Sequence, residues 1–428
     1  KTKRAEFLKA VEKLLGDIDK RDNVDHMDVK LVLNSVLGAS ERTVEIPIEV
    51  LAMEFAEGML AELDRFSSMI WPSSVSDFQK QTMGHFYGVG IQITKKLGEP
   101  LKVVTPLADS PAFKKGIKTG DIITAVDGRR TNNLSLNRLV SIITGKKGTK
   151  VTLTIERPGE LKPRQVTIVR DEIRIRTVKG WQRKPDGKWD YTLDAENKIG
   201  YIRITQFTDQ TRGRLVKALR QIRADGLSSL VLDLRFNPGG LLRASTGVAN
   251  EFLRAGPIVS TRGRQTRRAE KKANSSGEYL DGDLVVLVNE HSASAAEIVS
   301  GAIKDWRRGI IVGERTFGKG SVQNVIPIHR HKAFLRLTTA YYYLPHGRLL
   351  HRQNGQKDWG VDPDVSISIT PRQMKRWLDI RRETDLIQDI DAEQLSSELA
   401  KQTDADFQLN TALLLLRLMK LQQVKPSA

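Results

Sequence analysis

The spacing of apolar residues changes period along the chain. In "AEFLKAVEKLLGDI", Phe7, Leu8, Val11, Leu14 and Leu15 recur at intervals of three and four, which places them on one face of an α-helix. "VLAMEFAEGMLAELD" continues in that style until Pro72 and its serine neighbours interrupt it in "RFSSMIWPSS". The pattern predicts a helical region over residues 1–85. From Tyr87 the apolar runs shorten. "GVGIQI", "LKVVTPL", "DIITAVDG" and "TKVTLTIER" are separated by Gly, Pro and Asp and read as β-strands. Between two of them "NLSLNRLVSIITG" returns to helical spacing and stops at Gly145. Residues 86–175 thus form a small, mostly β domain.

Over residues 176–370 strands alternate with helices. "IGYIRITQF" is a strand, "RGRLVKALRQIRADG" an amphipathic helix, "SLVLDLR" and "DLVVLVN" strands, "AEIVSGAIKDW" a helix and "GIIVGE" a strand. This is an α/β pattern, and its continuous apolar runs require strands covered on both faces. After Pro371 helical character returns over 371–428, where "LNTALLLLRLMKL" carries an apolar stripe that must pack on something. No fixed-period repeat is present.

Composition narrows the class. The 428 residues suggest roughly three domains, and 39% hydrophobic content excludes a globally disordered chain. With no cysteine there is no disulfide framework, thiol nucleophile or cysteine-based zinc site. That absence agrees with an extracytoplasmic location, periplasmic or secreted. A first residue of Lys1 rather than Met agrees with a trimmed signal or anchor. No apolar run reaches the ~18 residues a membrane span needs; "ALLLLRLM" is too short and holds Arg417. The net charge of +18 could attract anionic partners. Its densest cluster, Arg262, Arg264, Arg267, Arg268, Lys271 and Lys272 around Glu270, has no interleaved aromatics. It reads as a solvated loop rather than a nucleic-acid platform.

Three short segments carry candidate chemistry. "GERTFGKGS" matches a phosphate-binding loop through Lys319, but Gly320 stands where a hydroxyl should hold magnesium, and "SVQNVIPI" after it reads as a strand rather than a helix. A lysine between two glycines in a turn is either solvated or desolvated, and desolvation would make it a usable base. "NEHSASAAEIVSGAI" takes a buried strand through a polar turn into a helix, so a serine there meets the helix N-terminus, a good place for an oxyanion. The same residues, Ser294 to Glu297, also read as a structural capping box. "LVLDLRFNPGGLL" ends a buried strand in two glycines, which either expose backbone N–H groups or simply end the strand. His291, three residues before Ser294, offers a Ser–His alternative but reads better as a turn residue. His329 and His331 would share one side of a strand as two metal ligands, with no evident third.

Together and in this order, "DLRFNPGGLL", "VNEHSASAAEI", "IVGERTFGKGSVQ" and "GVDPD" resemble the carboxyl-terminal processing (tail-specific) proteases. "GVGIQI" with "VVTPLADSPAFKKGIKTGDIITAVDG" resembles a PDZ domain, and "ELDRFSSMIWP" the segment that precedes it in that family. The resemblance runs from about Glu62 to Asp364. It implies an α/β multi-domain protein: a ClpP/crotonase-like α/β peptidase core with an inserted PDZ domain and helical N- and C-terminal segments. It also implies a serine endopeptidase that selects protein substrates by their C-terminal tail.

The family motif makes Ser294 the nucleophile, Lys319 the general base and Gln323 the residue that orients the lysine. Backbone N–H groups of Ala295 and of Gly240, with Gly239 as second choice, are the oxyanion donors. Ala296 departs from the family's usual serine, and Ser292 is the rival nucleophile. Tyr87, Gly88, Val89, Gly90 and Ile91 resemble the carboxylate-binding loop of a PDZ domain. Ile91, Ile93, Leu139 and Ile142 would line a pocket for apolar C-terminal residues, with plain core packing the competing reading of Ile93 and Leu139. No metal or cofactor is implied. Expected partners are peptides with apolar C-termini, a second copy through the helical ends, and an adaptor or membrane-associated protein; no nucleic acid is expected. The competing functions are a PDZ-bearing binding scaffold with an inactive peptidase half, an acyl-CoA-type enzyme of the crotonase group, and a nucleic-acid binder.

Overall fold

The structure, a computed structural model, describes residues 2–20, 23–75, 78–79, 82, 84–96, 99–107, 110–184, 188–264, 268–328, 332–385 and 406–423. Arg267, His329 and His331 lie outside the described residues. The chain divides into two compact units, residues 1–75 with 322–339 and residues 76–321 with 340–428.

The first unit holds the helices Thr2–Ile18, His26–Arg42 and Ile48–Ala61. Asp25 starts the second: its carboxylate accepts the N–H groups of Met27 and Asp28, while Asp28 returns a bond to the Asp25 N–H, a reciprocal cap. The first and third helices contain no fully buried residue. Past the helices the strand Ser68–Ile70 pairs antiparallel with Phe334–Arg336. Asp64 organises this corner. Its carboxylate accepts from the N–H groups of Phe66 and Ser67 and from the hydroxyls of Ser67 and Thr338.

In the second unit the residues read as a small β domain form a six-stranded sheet. Its strands run in the order Ile91–Thr94, Leu101–Pro106, Ile122–Val126, Lys150–Glu156 and Arg164–Val169, with Arg129–Arg130 paired to Ile122–Val126. Alternation drives it. Val151, Leu153 and Ile155 point inward from one strand and meet Leu101, Val103 and Ile123. The helix Leu136–Ile143 covers the sheet with Leu139 and Ile143. His85–Gly88 pairs with Asp171–Arg174, which closes the domain.

The α/β part is built on a seven-stranded sheet. Ile199–Ile204, Ser229–Asp233, Asp283–Val288, Ile310–Gly313 and Val365–Ser366 are neighbours and parallel. Val178–Lys179 and Thr192–Asp194 add antiparallel to the first of these. The central strands are buried along their whole length, as their unbroken apolar runs require. One face is covered by the helix Phe407–Gln423, whose Leu409, Ala412, Leu413 and Leu416 pack with Tyr201, Val231, Val285, Leu287 and Val312. The apolar stripe of this terminal helix therefore completes the core. Because neighbouring parallel strands end on the same side of a sheet, the segments that follow Asp233, Val288 and Gly313 emerge together.

Candidate active site

Those three segments are the ones singled out for their chemistry. Ser294 sits at the N-terminus of the helix Ala295–Asp305 with φ 55° and ψ −111°. Such a backbone is costly for a residue with a side chain. It places a half-exposed serine at a sharp strand-to-helix turn, whereas Ala295, Ala296 and Glu297 are buried. The Glu297 N–H reaches the Ser294 carbonyl at 3.0 Å. The return half of the box does form, with the Ser294 N–H donating to Glu297 Oε2 at 2.7 Å.

The rival serine is differently placed. Ser292 is fully buried, and its hydroxyl donates to the Leu234 carbonyl at 2.9 Å and accepts the Asn289 N–H at 3.0 Å. It is a structural tie between two loops. The His291 ring stacks on Phe236, 5.1 Å between centroids, as a turn residue would.

The strand Ser229–Asp233 leads into Asn237-Pro238-Gly239-Gly240, which packs directly on the serine turn. The Ala293 N–H donates to the Asn237 carbonyl at 2.9 Å. A Cβ on Gly239 would stand 2.8 Å from Ser294 Cβ and 3.0 Å from the Ala295 nitrogen, and one on Gly240 would stand 2.1 Å from the Phe207 carbonyl oxygen. Their φ angles, 101° and 142°, also call for glycine. The turn is braced by Asn237, whose amide nitrogen donates to the Ile204 carbonyl and whose Oδ1 accepts the Gly239 N–H. That bond engages Gly239. Among the described residues no hydrogen bond engages the N–H of Gly240 or of Ala295.

Lys319 lies in the turn between Ile310–Gly313 and the strand Ser321–Ile328. A strand after the lysine removes the helix N-terminus that a nucleotide loop needs. Both flanking glycines are sterically required. A Cβ on Gly318 would lie 2.9 Å from Arg352 and Trp359 side-chain atoms, and one on Gly320 would lie 2.4 Å from the His351 nitrogen. Lys319 is half-buried, and its N–H donates to Glu297 Oε2 at 2.9 Å. The backbones of Ser294 and Lys319 therefore converge on one carboxylate oxygen. Gln323 belongs to the other unit, where its amide nitrogen lies 3.5 Å from the Thr338 hydroxyl, next to Asp64.

Two groups escaped the sequence reading. Glu297 registered only as a helix cap. Asp233 and Arg235 registered as part of a strand, although two charges inside an apolar run are themselves a signal. Arg235 is buried between two carboxylates, Asp233 at 2.8 Å and Asp406 at 2.8 Å, and it also reaches Gln408. Burial pushes the Asp233 carboxyl up, but the Arg235 guanidinium outweighs it and holds the group below the usual carboxylate range. Arg235 immediately precedes Phe236, whose φ of 58° starts the glycine turn.

In the small β domain Leu139 is wholly buried in the core, whereas Ile91, Ile93 and Ile142 are half-buried at its margin. Ile91–Thr94 is an edge strand. The carbonyls of the preceding loop are held inward: Val89 O accepts from the Ala112 N–H, and Gly90 O from the Leu107 N–H and the Ser110 hydroxyl. Among the described residues no group of His, Asp and Glu side chains is suited to a metal ion, and no helix is long and apolar enough to cross a membrane.

The model of peptidase family S41 matches residues 198–367, and that of the PDZ domain matches residues 76–156. A carboxy-terminal-processing protease of Bartonella bacilliformis is 40% identical over 330 residues, 76% of this chain and 71% of the relative. A probable CtpA-like serine protease of Staphylococcus aureus is 35% identical over 319 residues, 74% of this chain but 60% of its own length. Among solved structures, the photosystem II D1 C-terminal processing protease aligns over 86% of this chain and 94% of its own, at 29% identity and a TM-score of 0.44. An S41 protease from Bacteroides fragilis covers 85% of this chain and 90% of its own at 16% identity and a TM-score of 0.50, a likeness of fold. With its PDZ domain inserted ahead of the α/β core, the chain belongs to peptidase family S41, alongside the carboxy-terminal-processing proteases.

Proposed function

We propose that the protein is a serine endopeptidase in which Ser294 attacks the peptide, Lys319 is the general base and the PDZ domain selects substrates by their C-terminal tail. The observation that carries this reading is the convergence of the Ser294 and Lys319 backbones on Glu297 Oε2, beside a glycine turn with an unengaged N–H.

Neutral Lys319 takes the proton of the Ser294 hydroxyl as its oxygen attacks the scissile carbonyl carbon. The carbonyl electron pair becomes the oxyanion, held by the N–H groups of Gly240 and Ala295, each worth about 3 kcal/mol by analogy with other serine hydrolases. As the tetrahedral intermediate collapses, the C–N bond breaks and Lys319 gives its proton to the leaving amine. Water then attacks the acyl-enzyme, losing its proton to Lys319, and the serine leaves with that proton. Gln323, four residues after the base, orients it in the family pattern.

Tail selection draws on the edge strand Ile91–Thr94, which can add a substrate strand by β-augmentation. The loop Tyr87, Gly88, Val89, Gly90 and Ile91 would meet the terminal carboxylate. Ile91, Ile93 and Ile142 would meet its apolar side chains; Leu139 supports them from the core.

The test is cleavage of an unfolded protein ending in apolar residues, with Ser294→Ala and Lys319→Ala beside the wild type. Both variants lose cleavage if the assignment holds. Equal cleavage by all three overturns it, and tail-peptide binding without hydrolysis by the wild type favours a scaffold instead.

The absence of cysteine supports an extracytoplasmic location, which cell fractionation with an antibody decides. Exposed Leu8, Leu15, Met27 and Leu31 on the N-terminal helices support self-association or an adaptor. A monomeric mass by light scattering would remove the first.

A further inference from the structure

Glu297 does far more than a helix cap requires. A cap needs one bond, from the Ser294 N–H. The carboxylate here accepts four. Oε1 takes the Thr316 hydroxyl at 2.6 Å and the Gly318 N–H at 2.6 Å; Oε2 takes the Ser294 N–H at 2.7 Å and the Lys319 N–H at 2.9 Å. Three of these donors come from the lysine turn, about twenty residues further along the chain than the helix they meet. A third segment closes the chamber. The Val361 N–H donates to the Thr316 hydroxyl at 2.8 Å, and a Cβ on Gly360 would lie 2.9 Å from Thr316 and 3.3 Å from Glu297 Oε1. The Glu297 side chain is wholly buried.

The donor set dictates the residue type. Four donors need the four lone-pair positions of a carboxylate. A glutamine of the same shape would turn its NH2 toward two of the donors. An aspartate would fall one methylene short. Since the serine turn and the lysine turn leave different strands, nothing covalent sets the spacing between them; the Phe317 N–H bonds the Ser292 carbonyl at 3.0 Å, and this carboxylate is the tie that reaches Ser294 and Lys319 themselves.

We propose that Glu297 is the positioning residue that sets the distance between Ser294 and Lys319, tying the nucleophile's turn to the base's turn through one carboxylate. The inference rests on the reading of Ser294 and Lys319 as nucleophile and base. Glu297 neither touches substrate nor moves the proton. It fixes the approach that proton transfer needs, so its loss acts on kcat rather than on KM.

The experiment measures kcat, KM, thermal midpoint and the rate of Ser294 labelling by a fluorophosphonate for the wild type, Ser294→Ala, Lys319→Ala, Glu297→Gln and Thr316→Val. The expected result for Glu297→Gln is a kcat lower by about 100-fold, a KM within about 3-fold, and labelling slowed in step with kcat. Thr316→Val keeps the volume and removes one donor; its kcat falls by about 10-fold with KM retained. If Ser294→Ala cleaves like the wild type, the underlying reading fails and the inference with it. If Ser294→Ala and Lys319→Ala are inactive while folded Glu297→Gln keeps kcat within about 3-fold, the reading stands and the inference is overturned. Should Glu297→Gln not fold, Thr316→Val decides alone: an unchanged kcat overturns the inference and a lowered one upholds it.

Discussion

Glu297 shows how much a single buried group can hold in opposition. Burial pushes its carboxyl up to about 7, against the hydrogen bonds from Thr316, Gly318, Lys319 and Ser294 that favour the ionised form. The folded value lies above the unfolded one near 4.5, so the stability linked to this group is present in full below pH 4.5 and is lost as pH rises through about 7. Its four donors nonetheless suit the ionised carboxylate, which places the ordered site on the less stable side of that titration. Chemical denaturation across pH 4–8 should show the wild type losing on the order of 3 kcal/mol relative to Glu297→Gln, which has no proton to release. Parallel curves for the two proteins would contradict the shift. Gly240 is the second residue that admits no substitute. Gly240→Ala would drive its Cβ onto the Phe207 carbonyl at an unfavourable φ of 142°, so cleavage should fall by at least about 100-fold as the N–H proposed to hold the oxyanion is displaced. Tail-peptide binding, measured by fluorescence anisotropy, should not change.

At the scale of elements, the sequence was legible wherever its message is local. The parallel strands announce themselves as unbroken apolar runs, the strands of the PDZ domain as alternations, and the chemical segments as short glycine- and serine-rich turns after them. What a local reading misses is which partner a group finds. Ser292 and Ser294 stand two residues apart in the same motif, but one hydroxyl is buried against Leu234 and the other stays half-exposed. The periodicity of "NLSLNRLVSIITG" puts Leu139 on an inward face without saying whether that face is core or pocket; it is core. The stripe in "LNTALLLLRLMKL" is evident, but its mate is a sheet whose packed residues, from Tyr201 to Val312, come from far earlier in the chain. This assignment makes a graded prediction. Leu416→Ala, at a fully buried position, should lower unfolding free energy by about 2–5 kcal/mol. Leu414→Ala, on the exposed side of the same helix, should stay within about 0.5 kcal/mol. Equal effects in denaturant titrations would mean that the helix does not pack as described.

On the scale of the whole molecule, the peptidase core is assembled from distant parts of the chain. Arg235 stands just before the glycine turn and is held by Asp233, the last residue of the preceding strand, and by Asp406 at the start of the C-terminal helix. Asp406 also caps that helix, accepting the Leu409 N–H at 3.1 Å. Removing one partner of a buried pair leaves a charge without compensation, which costs about 3–5 kcal/mol. Asp406→Ala should therefore destabilise the protein by that order in denaturant unfolding. Cleavage should also fall at temperatures where the variant is still folded, because Arg235 lies in the segment that leads into the turn carrying Gly240. Full activity in such a folded variant would show that the helix supports stability alone.

The ion pair between Arg235 and Asp406 has a consequence in time as well. A polypeptide is made from its N-terminus, and Ser294, Lys319 and the glycine turn are all synthesised before residue 406. Until then Arg235 lacks its second carboxylate and the sheet lacks the helix that covers one face. A nascent protease of this design carries the groups proposed to react through that part of synthesis unfinished, and a stretch of chain made well after them is the one that completes the core.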